Sequence, residues 1–474
     1  MSKQLSPDAA PRGYPALWNN RTYRTLMGSE VLGHVGRSLY LTVLPWLVLE
    51  VTGSNSAVGW ATTAIYLPYL VFAVAAGTLV DRLDRRRMMI AVNLLRALLA
   101  AAVPMLHVAG ILAGWHILLI AFLLSSLDGL FYLGRSSVVP QIVPREEIVT
   151  ANSAITVLVG LAMMAGTALV GPVVQVLGLA NASAVYVATL ILSTAFLSPL
   201  QLPPQTGQGE QVHCLTWRDL LQGVSYVWHA PVVRTIFLLD ALYFVLADGM
   251  VMTGVPLFVK DVLHAGPEVY GYIRTAGNAG MLLGALWLGR FGRSLNKERL
   301  IVLGWLGYGL SLISYPLFRA FVPALAASFF SLMIGNLIPT CGASLLQERV
   351  PQELVGRVFG VWNMIAPGSG SFSGIIGGAL ASVLPASVLI MLGAAVSCGN
   401  ALLGRIGGLW HSHAPGTGLE QGVNEWPDAC GLPKDHQQAQ SDQDENHGHQ
   451  PPKLPFPKEG EHLSYHSETR DDAS

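Results

Sequence analysis

The chain has 474 residues, of which 52% are hydrophobic and only 12% are charged. This composition leaves too little polar surface to coat a water-soluble globule of that size, so it excludes an ordinary soluble protein and predicts membrane residence. The formal net charge of −1 says little by itself, because in a membrane protein the position of each charge matters more than the sum. No nucleic-acid partner is expected.

Apolar runs long enough to cross roughly 30 Å of hydrocarbon as helices recur along the chain. Those in the first 200 residues are 26–51, 57–80, 88–109, 115–137, 152–177 and 180–200. Those that follow a polar stretch are 232–258, 269–289, 300–318, 322–346, 358–384 and 386–410. The pattern predicts an all-α membrane protein with twelve transmembrane helices in two pseudo-symmetric six-helix bundles, 26–200 and 232–410.

Positive charges are concentrated in every second connection between these runs. The basic residues expected on the cytoplasmic side are Arg82, Arg85, Arg86, Arg87, Arg145, Arg218, Arg290, Arg293, Lys297, Arg299, Arg349 and Arg357. The other connections contain little beyond Lys260 and Arg319. Because lysine and arginine stay on the cytoplasmic side, we predict a multi-pass protein of the cell membrane with both termini inside.

The two predicted bundles share an internal repeat, which is typical of transporters with matched halves. Eighteen residues separate Gly59 from Gly77 in the first half and Gly271 from Gly289 in the second. The repeat predicts a site between the halves near the middle of the bilayer. Chance similarity between apolar sequences is the alternative explanation.

The polar segments outside the bundles are expected to be connections and tails. Residues 1–25 form a cytoplasmic N-terminal segment without a cleavable signal pattern. The linker 201–231 ends in an amphipathic stretch that predicts a helix along the inner membrane surface. Residues 411–474 lack apolar periodicity, which predicts a disordered cytoplasmic tail. Its histidines are irregularly spaced, so they do not indicate a metal site.

The four cysteines have no paired spacing, which predicts structural thiols rather than a disulfide framework or a zinc site. They are Cys214, Cys341, Cys398 and Cys430. No cofactor is expected.

The loop 77–87 places several charges between two apolar runs, and it therefore marks a membrane surface. It resembles the cytoplasmic loop between helices 2 and 3 of the major facilitator superfamily, whose pattern is Gly-x-Leu-Ala-Asp-Arg-x-Gly-Arg-Arg. The matching residues are Gly77, Leu79, Asp81, Arg82, Arg85 and Arg86, whereas Asp84 replaces the second glycine.

This resemblance implies a conformational latch. Asp81 would lie against a helix N-terminus of the other half, where partial positive charge favours a carboxylate. Arg82 and Arg85 would pair across the same cytoplasmic seam while that side is closed. The alternative is that the arginines only set the topology.

Further segments resemble bacterial exporters of the enterobactin and macrolide type within that superfamily. They are 44–54, 81–87, 94–98, 217–240, 256–263 and 350–358. The resemblance covers all the predicted spans, ends near residue 410, and implies transport without specifying the substrate. The chain departs from these exporters at Gly36-Arg37, where they often have Gly-Asp, which puts an inherited coupling mechanism in doubt.

Ionisable residues inside the predicted spans are the candidates for coupling. Glu30, His34 and Arg37 lie on one face of the first helix, and a charge at that depth needs a partner. The carboxylates available to it are Asp128, Asp240 and Asp248. A carboxylate that exchanges a proton as the halves rock is one hypothesis, with Asp248 and Asp128 favoured over Glu30. A static buried ion pair is the other.

Small residues mark candidate sites of helix packing or hinge motion. They are Gly166, Gly171 and Pro172 in the fifth predicted helix, Gly280 and Gly284 in the eighth, and Gly374 in the eleventh. The stretch 368–378 is so rich in glycine, with Pro367 beside it, that we expect the eleventh helix to bend or break.

We therefore predict a monomeric secondary transporter that exchanges protons for a hydrophobic or amphipathic small molecule across the lipid bilayer. Uptake or facilitated diffusion of a polar metabolite is the alternative, and a non-transporting membrane sensor is a further one. No His-Glu-x-x-His, Gly-x-Ser-x-Gly or Walker-type loop occurs, so an enzyme is not expected.

Overall fold

The computed structural model describes residues 14–71, 84–144, 147–200 and 217–410, in which every regular element is a helix. Before residue 201 the α-helices are α1 Tyr14–Asn19, α2 Arg21–Thr52, α3 Asn55–Val71, α4 Arg85–Val108, α5 Gly114–Ile142, α6 Ile148–Ala168, α7 Val170–Leu177 and α8 Ser183–Leu197. After residue 216 they are α9 Trp217–His229, α10 Pro231–Leu246, α11 Asp248–Asp261, α12 Pro267–Phe291, α13 Lys297–Phe318, α14 Phe321–Gly335, α15 Leu337–Arg349, α16 Gln352–Ala381 and α17 Ala386–Ile406.

Short polar residues begin several of these helices. The side chains of Asn20, Asp84 and Asn296 accept hydrogen bonds from the backbone N–H three residues further on, at 3.1, 2.9 and 2.9 Å. Each bond satisfies one of the N–H groups that the first helical turn leaves without a partner. The sequence thus fixes where α2, α4 and α13 start.

Tight turns with a left-handed residue join successive helices at one face of the molecule. These residues are Gly53, Gly110, Gly178, His264 and Arg319. Antiparallel neighbours bring the turns together, and Lys260 at the end of α11 donates to Asn55 at the start of α3. We call this side the tight-turn face.

Eight helical stretches of the described chain are long and apolar enough to cross a membrane. They are Arg21–Thr52, Arg85–Val108, Gly114–Ile142, Thr150–Leu177, Ala180–Leu197, Lys297–Phe318, Phe321–Arg349 and Ala386–Ile406. The other predicted spans coincide with α3, α10–α11, α12 and α16, which are helical but not among the eight. All-helical architecture is confirmed, whereas the count of twelve spans stays a prediction.

Large apolar side chains cover the outside of the helices. Leu98, Met105, Val108, Leu317 and Ile406 are each more than 60% exposed. A soluble protein does not present such a continuous apolar surface, whereas a bilayer buries it. The described helices therefore have the exterior of a multi-pass membrane protein.

Helices α2–α8 and α10–α17 pack into one compact unit. We refer to α2–α8 as the first bundle and to α10–α17 as the second bundle. The bundles meet where α3 packs on α16 and where α6 and α7 pack on α12. Leu49 and Val58 of the first bundle belong to the same buried apolar cluster as Leu257 and Ile390 of the second. That cluster ties the bundles together near the tight-turn face.

The break predicted for the eleventh span occurs instead in the seventh. The run 232–258 divides at Ala247 into α10 and α11, whereas α16 continues as one helix through its glycines. The amide of Gly249 after the break donates to the Ser373 hydroxyl of α16. A side chain of the neighbouring helix thus satisfies a backbone group that the interruption would otherwise leave unpaired.

Helix α9 packs against the second bundle with one face only. Gly223 lies against the backbone of Arg357, Val227 is buried, and the Tyr226 hydroxyl donates to the Arg349 carbonyl at 3.1 Å. Leu221, Val224 and Trp228 are exposed on the opposite face, at a spacing that suits a membrane surface. The remaining linker residues 201–216, the loop 72–83 and the tail 411–474 lie outside the described residues.

Candidate functional site

Glycines bring α3, α11 and α16 into backbone contact. A Cβ on Gly374 would lie 2.7 Å from the Thr63 amide nitrogen and 2.8 Å from the Gly59 carbonyl oxygen. A Cβ on Gly377 would lie 2.7 Å from the Gly249 carbonyl carbon. No side chain fits in these places, so the glycines let α16 pack closely on α11 of its own bundle and on α3 of the other bundle.

The other predicted packing residues divide between two locations. Gly171 faces Glu268 across the seam between α7 and α12, and its neighbour Pro172 is exposed. The remaining three lie within single bundles: Gly166 against Val35, Gly280 against Phe329 and Gly284 against Met333.

A second line of contact between the bundles runs along α6 and α12. The hydroxyl groups of Thr167 and Thr275 are 2.8 Å apart, and the Asn278 amide reaches Thr167 at 3.4 Å. Both seams lie between mid-depth and the tight-turn face. The molecule is therefore closed on that side.

A small cavity of about 30 Å³ lies behind this seam, between α2, α6 and α12. Its lining residues are His34, Arg37, Ser38, Leu41, Thr42, Met163, Thr167, Arg274 and Asn278. The volume admits a water molecule or two but no whole drug-sized ligand, which needs roughly 300–1,000 Å³. In this conformation the site is contracted.

The Arg37 side chain pairs with Asp128, which also binds Arg96. Arg37 Nε lies 2.7 Å from Asp128 Oδ2, and Arg96 bonds Oδ1 of the same carboxylate. Both carboxylate oxygens therefore have a guanidinium partner. The three side chains join α2, α4 and α5 and together hold one surplus positive charge.

Arg96 anchors this triad to the rest of the first bundle. It donates to the Tyr186 hydroxyl at 2.8 Å and to Asn93 Oδ1 at 3.0 Å, and Asn93 in turn donates to Ser193. Arg96 is only 4% exposed. A charge so deeply buried persists only with such a shell of partners.

Asp248 is placed differently, at the first residue of α11 where the seventh span breaks. It is buried, and its Oδ2 has no hydrogen-bond partner in the described chain. Tyr66 of α3 hydrogen-bonds the carboxyl from the opposite bundle, and Arg274 lies within electrostatic range. The carboxyl therefore lies at the seam itself, with its Oδ2 unpartnered in the described chain.

The other intramembrane carboxylates lie within one bundle each. Glu30 is buried, with His34 and Arg135 both 3.5 Å from its Oε2. Asp240 accepts a hydrogen bond from the Trp362 indole at 2.8 Å. The structure therefore brings Arg37 to Asp128 and Glu30 to His34, and separates both from Asp240.

Arg96, Arg135 and Arg274 are site residues that sequence reasoning missed. Each is a positive charge inside a predicted apolar run, at 88–109, 115–137 and 269–289. The rule that selected Arg37, that a charge inside a span needs a partner, could have selected all three.

The predicted latch is only partly visible. Gly77, Asp81 and Arg82 lie outside the described residues. Arg85 donates to the Ser137 carbonyl at 3.3 Å and Arg86 to the Ser198 carbonyl, both within the first bundle. Among the described residues Arg85 makes no contact with the second bundle, so the latch stays a prediction.

Among the described residues, no group of three or more His, Cys, Asp or Glu side chains could hold a metal ion.

Replacing Asp128 with asparagine should destabilise the protein strongly, because Arg37 and Arg96 would lose their shared counter-charge. Breaking a buried ion pair from one side costs about 3–5 kcal/mol. The apparent melting temperature of purified protein in detergent would report the loss. Glu353→Gln, at an exposed carboxylate of α16, is the matched control and should change little. Equal melting temperatures for the two variants would contradict the structural role of the triad.

The chain matches the Major Facilitator Superfamily over residues 26–377 and again over residues 243–412. The chain belongs to this superfamily. The resemblance noted in the sequence is thereby confirmed. The superfamily and its fold are those of transporters rather than enzymes. The candidate site is therefore one for moving small molecules across a membrane.

Two proteins with similar sequences are efflux proteins. The multidrug efflux pump Tap of Mycolicibacterium fortuitum is 27% identical over 365 residues, covering 73% of this chain and 86% of the pump. Macrolide efflux protein A of Streptococcus pyogenes is 24% identical over 354 residues, with the same two coverages. Efflux is thus represented among its homologues at modest identity.

Solved structures agree on the fold. The nucleoside transporter NupG superimposes with a TM-score of 0.67 at 13% identity, over 83% of this chain and 100% of that one. A bacterial homologue of the iron transporter ferroportin, in its inward-facing state, gives 0.63 at 13% identity, over 82% and 98%. Identities this low establish a shared architecture and nothing about the substrate.

Proposed function

We propose that this chain exports an amphipathic small molecule in exchange for protons, by alternating access between two six-helix bundles. Twelve spans are expected. Of those outside the eight, α3, α10 and α11 are described over only 17, 16 and 14 residues, whereas α12 and α16 are long enough to cross a membrane but less apolar. Of these helices, α3, α11, α12 and α16 take part in the contacts between the two bundles. Small residues such as glycine and serine allow helices to approach each other closely there.

The distribution of charge supports an orientation with the tight-turn face outside. The opposite face has Arg85, Arg86 and Arg87 at the start of α4, and further arginines at the ends of α12, α15 and α17. Positive residues near span ends remain cytoplasmic. On this orientation both termini are inside the cell membrane.

The closed tight-turn face corresponds to a state closed to the outside. Gly59 and Gly374 seal one seam, and Thr167 and Thr275 seal the other. Substrate would enter from the cytoplasm and leave after these seams separate. Rocking of one bundle against the other about a fixed central site is the usual mechanism for matched halves.

The observation that supports proton coupling is the position of Asp248. Asp248 lies at the seam, where its Oδ2 is unpartnered and where its carboxyl interacts with Tyr66 of the opposite bundle. Its surroundings therefore change whenever the bundles move. Changed surroundings alter how readily a carboxyl holds a proton. Asp128 is less suited, because guanidinium groups occupy both of its oxygens.

Uptake of a polar metabolite is the second candidate. The cavity is lined by His34, Arg37 and Arg274 as well as by hydroxyl groups. This lining is more polar than a binding site for hydrophobic drugs requires. The efflux proteins among its relatives favour export over this alternative.

Transport in inverted membrane vesicles tests the proposal. An imposed proton gradient should drive accumulation of a macrolide drug, and a protonophore should abolish it. Cells that lack the gene should also become more sensitive to the exported compounds. Gradient-independent movement, or movement in the opposite direction, would favour the second candidate.

Asp81→Asn tests the latch. The substitution removes the charge that would dock on a helix N-terminus but preserves the shape of the side chain, so we expect most transport to be lost while insertion stays normal. Drug accumulation in vesicles with matched protein content measures the transport activity. Asp84→Asn, in the same loop, is the control. Wild-type transport by a well-expressed Asp81→Asn protein would remove the latch from the mechanism.

A further inference from the structure

Arg274 is a positive charge at the seam that the proposed mechanism leaves without a use. It lies on α12 and lines the cavity, yet no carboxylate of the described chain comes within 4 Å of it. Asp248 interacts with it only at longer range. A half-buried guanidinium without an ion-pair partner is expensive near the middle of a bilayer, so its position points to a ligand.

Arg37 faces the same cavity from the other bundle. Its partner Asp128 is shared with Arg96, so this side also presents a positive charge that is only half compensated. No carboxylate is among the side chains that line the cavity. With Glu30 and Arg135 beside His34 included, four guanidinium groups oppose three carboxyls around it, and protonation of Asp248 would widen that imbalance.

Two further lining residues can donate hydrogen bonds to an anion. The Asn278 side chain is buried and carries an amide donor. The hydroxyl groups of Thr42 and Thr167 already donate to backbone carbonyls of their own helices. His34 adds a donor that can become charged.

We propose that the transported molecule carries an acidic group, a carboxylate, sulfonate or phosphate, that binds between Arg37 of the first bundle and Arg274 of the second. This inference rests on the proposed transport function and specifies its substrate class. Such an anion bridges the bundles and stabilises the contracted state around it. Guanidinium groups suit this task because they form charge-assisted, bidentate hydrogen bonds to acidic oxygens.

The proposal is tested with two probes that share a fluorophore and differ in charge. Dansylglycine carries a carboxylate, whereas dansylamide is neutral. Fluorescence titration of the full chain in nanodiscs of zwitterionic lipid should give roughly tenfold tighter binding of dansylglycine, the scale of one charge-assisted hydrogen bond. Equal affinity for the two probes would overturn the proposal.

Variants of Arg274 assign the preference to this residue. Arg274→Gln should abolish the preference for dansylglycine, whereas Arg274→Lys should retain most of it. Arg290→Gln, at an exposed arginine of the same helix, is the matched control and should behave as wild type. Because Arg274 has no ion-pair partner to lose, the melting temperature of Arg274→Gln should not fall. A stable Arg274→Gln protein that keeps the preference would refute the inference.

The failures of the two proposals are distinguishable. If gradient-driven export of neutral or cationic drugs proceeds and dansylglycine is not preferred, the acidic-substrate inference fails while the transport function stands. If dansylglycine is preferred through Arg274 but no proton gradient drives transport, the anion site stands while the proposed proton-coupled transport fails.

Discussion

Replacing Gly374 with valine should abolish transport while the protein still inserts and folds. The new side chain would overlap the Thr63 amide and the Gly59 carbonyl, which belong to the opposite bundle. These atoms are backbone atoms of α3, so no rotamer change can relieve the clash, and the two helices must separate. The variant should therefore be unable to close its tight-turn face.

The matched control is Gly356→Val in the same helix. A Cβ at Gly356 meets nothing within 4 Å, and both substitutions change helix propensity equally. Transport in vesicles should thus be near wild type for Gly356→Val and at background for Gly374→Val.

Spin labels report the state directly in a chain whose cysteines have been replaced. Asn55 and Lys260 are joined by a 3.3 Å hydrogen bond across the seam, so labels at these positions should be close in the control and further apart in Gly374→Val. Equal label distances in both variants would show that the glycine contact does not control closure.

Replacing Asp248 with asparagine should remove proton-driven accumulation of substrate to the level of vesicles without the protein. Asparagine preserves the volume and can still accept the hydrogen bond of Tyr66, but it cannot bind or release a proton. Exchange of labelled for unlabelled substrate at equal concentrations, which needs no proton, should continue. That contrast separates loss of coupling from loss of binding.

Asp261→Asn is the control for this prediction, since Asp261 is an exposed carboxylate at the end of the same helix. It should show both gradient-driven accumulation and exchange. If Asp248→Asn accumulates substrate as well as Asp261→Asn does, the coupling carboxyl lies elsewhere, and Glu30 with its unpartnered Oε1 becomes the next candidate.

The positions of the helices could be predicted because hydrocarbon demands long apolar runs, and that demand is visible residue by residue. The break at Ala247 could not, since neither glycine nor proline occupies that position. It depends on the contact between Gly249 and Ser373, which are 124 residues apart. The glycines around Gly374 predicted an interruption, whereas they serve a close approach of intact helices.

The charged residues show the same division. Arg37 was recognisable as a buried charge in need of a partner, but its choice of Asp128 over Asp240 or Asp248 depends on how α2 and α5 pack. Sharing that carboxylate with Arg96 is likewise a matter of tertiary geometry. Sequence could identify which residues needed partners, and only the fold could assign them.

The attachment of α9 determines what travels with the second bundle. Gly223 is pressed against Arg357, and Tyr226 is bonded to Arg349, so this helix is secured to the ends of α15 and α16. When the bundles rock, α9 should move with the second bundle as one rigid body, which therefore begins at Trp217 rather than at Pro231. Its exposed side chains Leu221, Val224 and Trp228 would then tilt within the lipid headgroups at each cycle. The rate of transport would thus depend on how easily the inner leaflet deforms.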